Sequence, residues 1–100
     1  MTVAEAMKKM ILFSNGNQHD INHFLKVHAY AAAIGACEGL PEDTLQTLEL
    51  AAIVHDIACP LCREKYGNTN GNYQQLEGAS LTREFFAGTD VPAEQLERIV

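Results

Sequence analysis

Apolar residues recur at helical spacing along most of the chain, and no stretch alternates between apolar and polar residues as a strand does. A first helix is predicted over 2–13, where Thr2 followed three residues later by Glu5 forms a capping-box pattern. A second helix is predicted from a cap at Asp20 or Asn22 to about Glu38. It is rich in alanine and other small residues, which would allow a neighbouring helix to approach closely.

The second half of the chain continues this helical pattern with one interruption. A third helix is predicted from Pro41 to residue 56. The segment 59–72 combines a proline, two glycines and three asparagines, which predicts an irregular loop. A fourth helix is predicted over 73–87, and a fifth is predicted from a cap at Thr89 or Asp90, with Pro92 near its first turn. The fifth helix reaches the last residue without a stop signal. We therefore expect one all-α domain of about five helices, incomplete at its C-terminus and continued in the natural protein.

Composition and charge limit the classes of partner. The 100 residues, 47% hydrophobic and 20% charged, suit one small globular domain. A formal net charge of −6 argues against a nucleic-acid polymer, but not against a small phosphorylated substrate such as a nucleotide. No apolar run approaches the ~20 residues of a membrane span, and no signal peptide is recognisable. We expect a cytoplasmic protein without a membrane partner, and a homo-oligomer stays open.

One polar pair, His55 and Asp56, interrupts the otherwise apolar stretch Leu50–Ala58. A helix that is apolar on every side is expected inside the core, where an unpaired carboxylate loses much solvation free energy. A divalent cation can bind a neutral imidazole and a carboxylate together. The pair therefore predicts metal ligands, and the alternative is a buried His–Asp hydrogen bond at the end of a helix.

The other histidines receive structural interpretations. His28 lies about 140° around the helix from His23, at 3.6 residues per turn, and is predicted to be a hydrogen-bonded core histidine. His19 is placed at or before the helix cap. The i,i+4 geometry of a zinc-binding helix need not exist there, so His19 is not expected to bind metal.

The three cysteines cannot all pair with one another. Cys37 lies in an alanine-rich helical stretch and is predicted to be a small core residue. Cys59 and Cys62 form a C-x-x-C pair, a spacing that serves redox exchange or half of a zinc site. The sequence offers neither the surrounding strands typical of the redox motif nor the second ligand pair of a zinc site, so neither use is favoured.

Three segments carry a family likeness: 20–27 (DINHFLKV), 38–40 (EGL) and 51–57 (AAIVHDI). Together they resemble the HD-domain superfamily of metal-dependent phosphohydrolases. The family pattern is a His followed three residues later by Arg or Lys, a helix of small residues, and an apolar helix that ends in His-Asp-Ile-Gly. The resemblance covers about residues 20–87 and implies an HD-type helical bundle.

The resemblance also implies a cofactor and its ligands. A divalent metal ion (Mn, Fe, Zn, Mg, Co or Ni) would be held by His23, His55 and Asp56. Asp56 would also orient a metal-bound water. Lys26 stands where the family has Arg or Lys, and Glu77 stands where many relatives place a further His, so both are assigned supporting catalytic roles. The implied activity is that of a metal-dependent phosphohydrolase acting on a nucleotide or another phosphate ester.

Substrate contacts are expected from Arg63, Lys65 and Tyr73, in and beside the predicted loop, although a plainly solvated loop is an alternative. Two departures from the family pattern matter. Ala58 stands in place of the usual Gly, and the later helix with a final Asp ligand is missing from these residues. The alternatives to an enzyme are a non-catalytic HD-fold sensor of nucleotide or metal, and a helical interaction module whose His–Asp pair is structural.

Overall fold

The computed structural model describes all 100 residues, Met1–Val100. Its helices are α1 (Val3–Phe13), α2 (Gln18–Cys37), α3 (Glu42–Val54), α4 (Cys59–Tyr66), α5 (Gly71–Phe86) and α6 (Ala93–Ile99). Helices contain 75% of the residues and there is no strand. The prediction of an all-α bundle of about five helices is confirmed, and the additional short helix is α4.

Helices α1 and α2 begin with different caps, and only the cap of α1 was predicted correctly. The Thr2 side chain accepts a hydrogen bond from the Glu5 amide at 3.1 Å, and the Glu5 carboxylate accepts one from the Thr2 amide at 2.9 Å. Helix α2 is capped by Asn17, whose side chain accepts from the Asp20 amide at 3.1 Å. The prediction of Asp20 or Asn22 as its cap is therefore wrong. His19 consequently lies in the first turn of α2 rather than before it.

Helix α4 occupies residues predicted as a loop, which corrects the prediction for 59–72. Pro60 lies in its first turn and Gly67, with φ of 77°, ends it in the left-handed conformation. This is the usual placement of proline at a helix start and glycine just past its end. Only 67–70 separates α4 from α5, which the Asn70 side chain caps.

The core is built around α3, as its apolar sequence predicts. Leu50, Ile53 and Ile57 are almost completely buried, and α3 packs against α1, α2 and α6. Helix α2 approaches it closely at Gly35, where an added Cβ would lie 2.5 Å from Leu45 Cδ1. The expectation that small residues in the second helix permit close packing is confirmed. The core position predicted for Cys37 is wrong, since that side chain is exposed.

One stretch, Glu42–Tyr66, has the length and composition of a membrane-spanning segment, with a mean hydropathy of 1.3 over its most apolar window. Half of that window is buried inside the bundle. The central helix of a soluble protein meets the same criterion, so this feature is weak evidence for a membrane location.

Candidate metal centre

Three predicted metal ligands, His23, His55 and Asp56, come together at the end of α3. Asp56 Oδ2 lies 3.0 Å from His23 Nε2 and 3.1 Å from His55 Nε2. One ligand atom from each residue falls within 4.8 Å of the others, and the two imidazole centroids are 5.3 Å apart. The centre therefore joins the first half of α2 to the turn that follows α3.

The orientation of the His55 ring is fixed by the main chain. His55 Nδ1 lies 2.7 Å from the carbonyl oxygen of Ala52. Because a carbonyl can only accept, this contact requires the proton on Nδ1 and turns Nε2 toward Asp56. A hydrogen bond from the second ring nitrogen to a backbone carbonyl is the usual support of a metal-binding histidine.

The contacts around Asp56 are close but are not directed hydrogen bonds. Neither the His23–Asp56 nor the His55–Asp56 pair has hydrogen-bond geometry, whereas His28 Nε2 and Glu49 Oε1 make such a bond at 2.9 Å. The half-buried His28 is thus the hydrogen-bonded histidine that its position predicts. The contact between His55 Nε2 and Asp56 Oδ2 is a close approach of 3.1 Å.

The two contacts to Asp56 agree with the spacing of ligands around a single ion. Ligand atoms ~2.1 Å from one metal lie ~3.0 Å apart at 90° and ~3.4 Å apart in a tetrahedron. The two contacts to Asp56, 3.0 and 3.1 Å, are close to the first value. Two imidazole nitrogens with one carboxylate oxygen suit Zn²⁺, Fe²⁺ and their first-row neighbours better than Mg²⁺, which prefers oxygen ligands.

The centre is more exposed than its apolar surroundings suggest. The exposed fractions of the side chains are 48% for His23, 33% for His55 and 31% for Asp56. Burial of α3 is confirmed, but the expectation that the pair at 55 and 56 lies inside the core is wrong. Helix α3 ends at Val54, and the following turn carries both side chains out toward solvent.

Ala58 does not disturb this turn. It adopts φ of −82° and ψ of −10°, in the right-handed helical region, at the start of α4. No left-handed conformation is required at this position, so the glycine of the family pattern is dispensable here. The departure at Ala58 leaves the three predicted ligands in place.

Two basic residues near the centre differ in their availability. Lys26 lies on α2 one turn after His23, is exposed and makes no ion pair. Arg63 donates to Asp20 Oδ2 at 2.5 Å, and the pKa of its guanidinium is raised by this bond. Asp20 lines a small cavity of about 20 Å³ together with His23 and Asp56. The sequence predicts no site role for Asp20, although its i,i+3 spacing to His23 places both on one face of the helix.

The remaining predicted site residues form a separate cluster between α4 and α5. Glu77 Oε1 accepts hydrogen bonds from Lys65 Nζ at 2.9 Å and from the Tyr66 hydroxyl at 2.7 Å. These bonds, that from Lys65 first, lower the pKa of Glu77. The Tyr66 and Tyr73 rings stack in parallel with centroids 4.0 Å apart. Glu77, Lys65 and Tyr73 thus belong to this cluster. Glu77 is not part of the candidate metal-binding group, which consists of His23, His55 and Asp56.

The C-x-x-C cysteines lie close to the centre but are poorly suited to thiolate chemistry. Cys59 and Cys62 are buried and not bonded to each other. Burial, followed by the charge of Asp56, raises the pKa of the Cys59 thiol to about 11. Reactive cysteines instead have lowered pKa values. The geometry supports the structural interpretation of this pair.

Comparisons with protein-family models, with curated proteins and with solved structures find no match.

Proposed function

We propose that this chain is an HD-type, metal-dependent phosphohydrolase that acts on a nucleotide or another phosphate ester. The observation that carries the proposal is the convergence of His23 and His55 on the carboxylate of Asp56 at 3.0 and 3.1 Å. His23 comes from α2, whereas His55 and Asp56 are neighbours in the turn after α3, and all three occupy the positions that the family resemblance assigns to metal ligands.

The donor set fits a catalytic rather than a structural ion. Catalytic zinc sites keep a position for water or substrate, whereas structural sites are closed by protein ligands. Exposure of all three side chains leaves room on the solvent side for a phosphate ester. When bound, a divalent cation lowers the pKa of water and polarises a phosphoryl oxygen.

The chain's own residues have separable tasks in this proposal. His55, held by the Ala52 carbonyl, presents Nε2 without any rearrangement of the ring. Lys26 supplies an unpaired positive charge one turn from His23, suited to a phosphate oxygen. Arg63 and Lys65 are less suited to this task, because each is already bonded to a carboxylate.

The proposal is tested by measuring phosphate release. The protein is first stripped of metal with a chelator and then reloaded with one metal at a time. The metals are Zn²⁺, Mn²⁺, Fe²⁺, Co²⁺, Ni²⁺ and Mg²⁺, and the substrates are nucleoside mono- and triphosphates with p-nitrophenyl phosphate. We expect metal-dependent release that His55→Ala abolishes. His19→Ala, which removes an imidazole that is 90% exposed, is the matched control and should retain activity.

The outcomes separate the proposal from its alternatives. Equal inactivity of the wild-type protein and His55→Ala with every metal would refute the enzyme. Nucleotide binding without turnover would instead support a sensor that keeps the fold. If the protein binds neither metal nor nucleotide, and His23→Ala leaves its stability unchanged, a helical interaction module is the remaining interpretation.

A further inference from the structure

A cavity of about 20 Å³ lies at the candidate metal centre, where α1, α2 and α3 meet the start of α4. Two of the three predicted ligands, His23 and Asp56, line it together with Asp20 and Ser14. One water molecule needs ~10–15 Å³ and ~2–4 polar partners. The cavity therefore has the size of a single-water site, and the polar groups around it include two carboxylates and the imidazole of His23.

The two predicted histidine ligands differ in the support of their second ring nitrogen. His55 Nδ1 donates to the Ala52 carbonyl at 2.7 Å. His23 directs Nε2 toward Asp56 Oδ2 at 3.0 Å, and its Nδ1 has no hydrogen-bond partner within the chain. A metal-binding histidine almost always donates the N–H of its other ring nitrogen to a carboxylate, a carbonyl or a water. The cavity lined by the His23 ring contains groups that can supply this support.

The carboxylate of Asp20 is held in place at this cavity. Asn17 caps α2, so the start of the helix does not need the Asp20 side chain. Asp20 Oδ2 accepts from Arg63 Nη2 at 2.5 Å, and the side chain is only 17% exposed. The other oxygen, Oδ1, lies 3.7 Å from His19 Nδ1, which is too far for a hydrogen bond. Asp20 Oδ1 is therefore available to accept a hydrogen bond from water.

The charges around the cavity are close enough to act on a single thiol. Burial is the main cause that raises the pKa of Cys59. The charges of Asp56, Arg63 and Asp20 follow in that order, the two carboxylates raising this pKa and the guanidinium lowering it. A second carboxylate beside Asp56 would be costly if it were unpaired. Because Arg63 pairs with Asp20, this carboxylate can accept a hydrogen bond without adding net negative charge at the centre.

From these observations we infer that Asp20 is a positioning residue for the predicted metal ligand His23. A water in the cavity accepts a hydrogen bond from His23 Nδ1 and donates one to Asp20 Oδ1, while Arg63 fixes the carboxylate from its other side. The proton is then on Nδ1 in both His23 and His55, and Nε2 of both rings is available to a metal. The inference rests on the metal centre of the proposed function, but not on the reaction or its substrate.

Metal affinity separates this role from that of the ion pair alone. Asp20→Ala removes both the carboxylate and the ion pair, whereas Arg63→Met removes the same ion pair and leaves the carboxylate. Zn²⁺ affinity would be measured by competition with a chromophoric chelator, and the stability of the metal-free proteins by urea titration. We expect Asp20→Ala to weaken Zn²⁺ binding ~10–100-fold and Arg63→Met to weaken it by less. The two variants should lose similar stability without metal.

A second measurement reports on the hydrogen bond itself. In the ¹⁵N-labelled full chain saturated with Zn²⁺, we expect NMR to detect the Nδ1–H proton of His23, because its bond to a sheltered water slows its exchange with solvent. Asp20→Ala should accelerate this exchange. The Nδ1–H proton of His55, bonded to the Ala52 carbonyl, is the internal control and should be unchanged. The wild-type spectrum alone tests the inference if Asp20→Ala does not fold.

The outcomes separate this inference from the proposed function. Zn²⁺ binding that Asp20→Ala and Arg63→Met weaken equally or not at all overturns the inference alone, as does a His23 proton that exchanges freely in the wild type. Weaker Zn²⁺ binding and faster exchange in Asp20→Ala support it. If the protein then released no phosphate from any ester, the proposed function would be overturned and the inference would stand. A wild-type chain that binds no metal overturns both.

Discussion

Metal binding at the His23–His55–Asp56 centre should be measurable as added stability of the whole bundle. The ion would tie α2 to the end of α3. Once the chain unfolds, the three side chains are no longer held together, so the ion binds the folded state. A ligand that binds only the folded state at 100 times its Kd adds about 2.7 kcal/mol. For a domain of this size, 1 kcal/mol corresponds to ~4–8 °C in Tm. The expected increase on metal loading is therefore about 11–22 °C.

Asp56→Asn tests this reasoning with little change of shape. It removes the carboxylate that both imidazoles approach. Loss of a supporting group alone weakens metal binding ~10–100-fold, so loss of a ligand should cost at least the upper value. At the same metal concentration the variant would then sit near its Kd, where the added stability is only about 0.4 kcal/mol. The increase in Tm should fall to about 2–3 °C.

Thermal melts followed by circular dichroism, with chelator and with Zn²⁺ or Mn²⁺, provide the measurement. Comparing each variant with and without metal separates metal binding from any intrinsic effect of the substitution. His19→Ala should keep the full metal-dependent increase. An undiminished increase in Asp56→Asn, or its loss in His19→Ala, would show that the ion binds elsewhere and would refute the centre described here.

Three further predictions concern the fold around the centre. Iodoacetamide at neutral pH should label the exposed Cys37 well before Cys59, whose pKa is raised to about 11; equal rates by mass spectrometry would contradict its burial. Because the pKa of Glu77 is lowered in the folded state, its carboxylate stabilises the fold at pH values above the unfolded pKa of 4.5. This contribution is lost as the pH falls through and below that value. The urea midpoint of the wild type should therefore drop more steeply on acidification than that of Glu77→Gln, and parallel profiles would refute the role of this carboxylate. Gly35→Val should destabilise by ~1–3 kcal/mol through overpacking, whereas Gly78→Ala, whose added Cβ meets no atom within 4 Å, should be neutral or stabilising in the same urea titration.

The polar pair at 55 and 56 was predicted as metal ligands from the residues alone, whereas His23 was assigned only through the family resemblance. The apolar run before His55 and Asp56 marked the central helix and its two polar side chains. Periodicity predicted the all-α fold. The run and the periodicity depend on residue type and spacing along single helices, which are properties that a sequence displays directly.

Other features depend on contacts that spacing does not encode. Pro60 and Gly67 predict a loop from the sequence, although the same residues start and end α4. Eight residues are too few for periodicity to outweigh two helix-breaking residue types. The bonds of Lys65 and Tyr66 to Glu77 join separate helices, so predicting them requires the packing of α4 against α5 to be known first.

The position of the centre follows from the place where α3 stops. The last four carbonyls of a helix have no partner in the helical ladder, and Ala52 is one of these residues in α3. Its carbonyl is free to accept from His55 Nδ1 because the chain leaves the helix after Val54. If the helix continued regularly, the Asp56 amide would take this carbonyl and compete with the imidazole for it. The end of the buried helix therefore both orients His55 and brings Asp56 to the surface beside His23, so the fold and the candidate metal centre depend on the same turn.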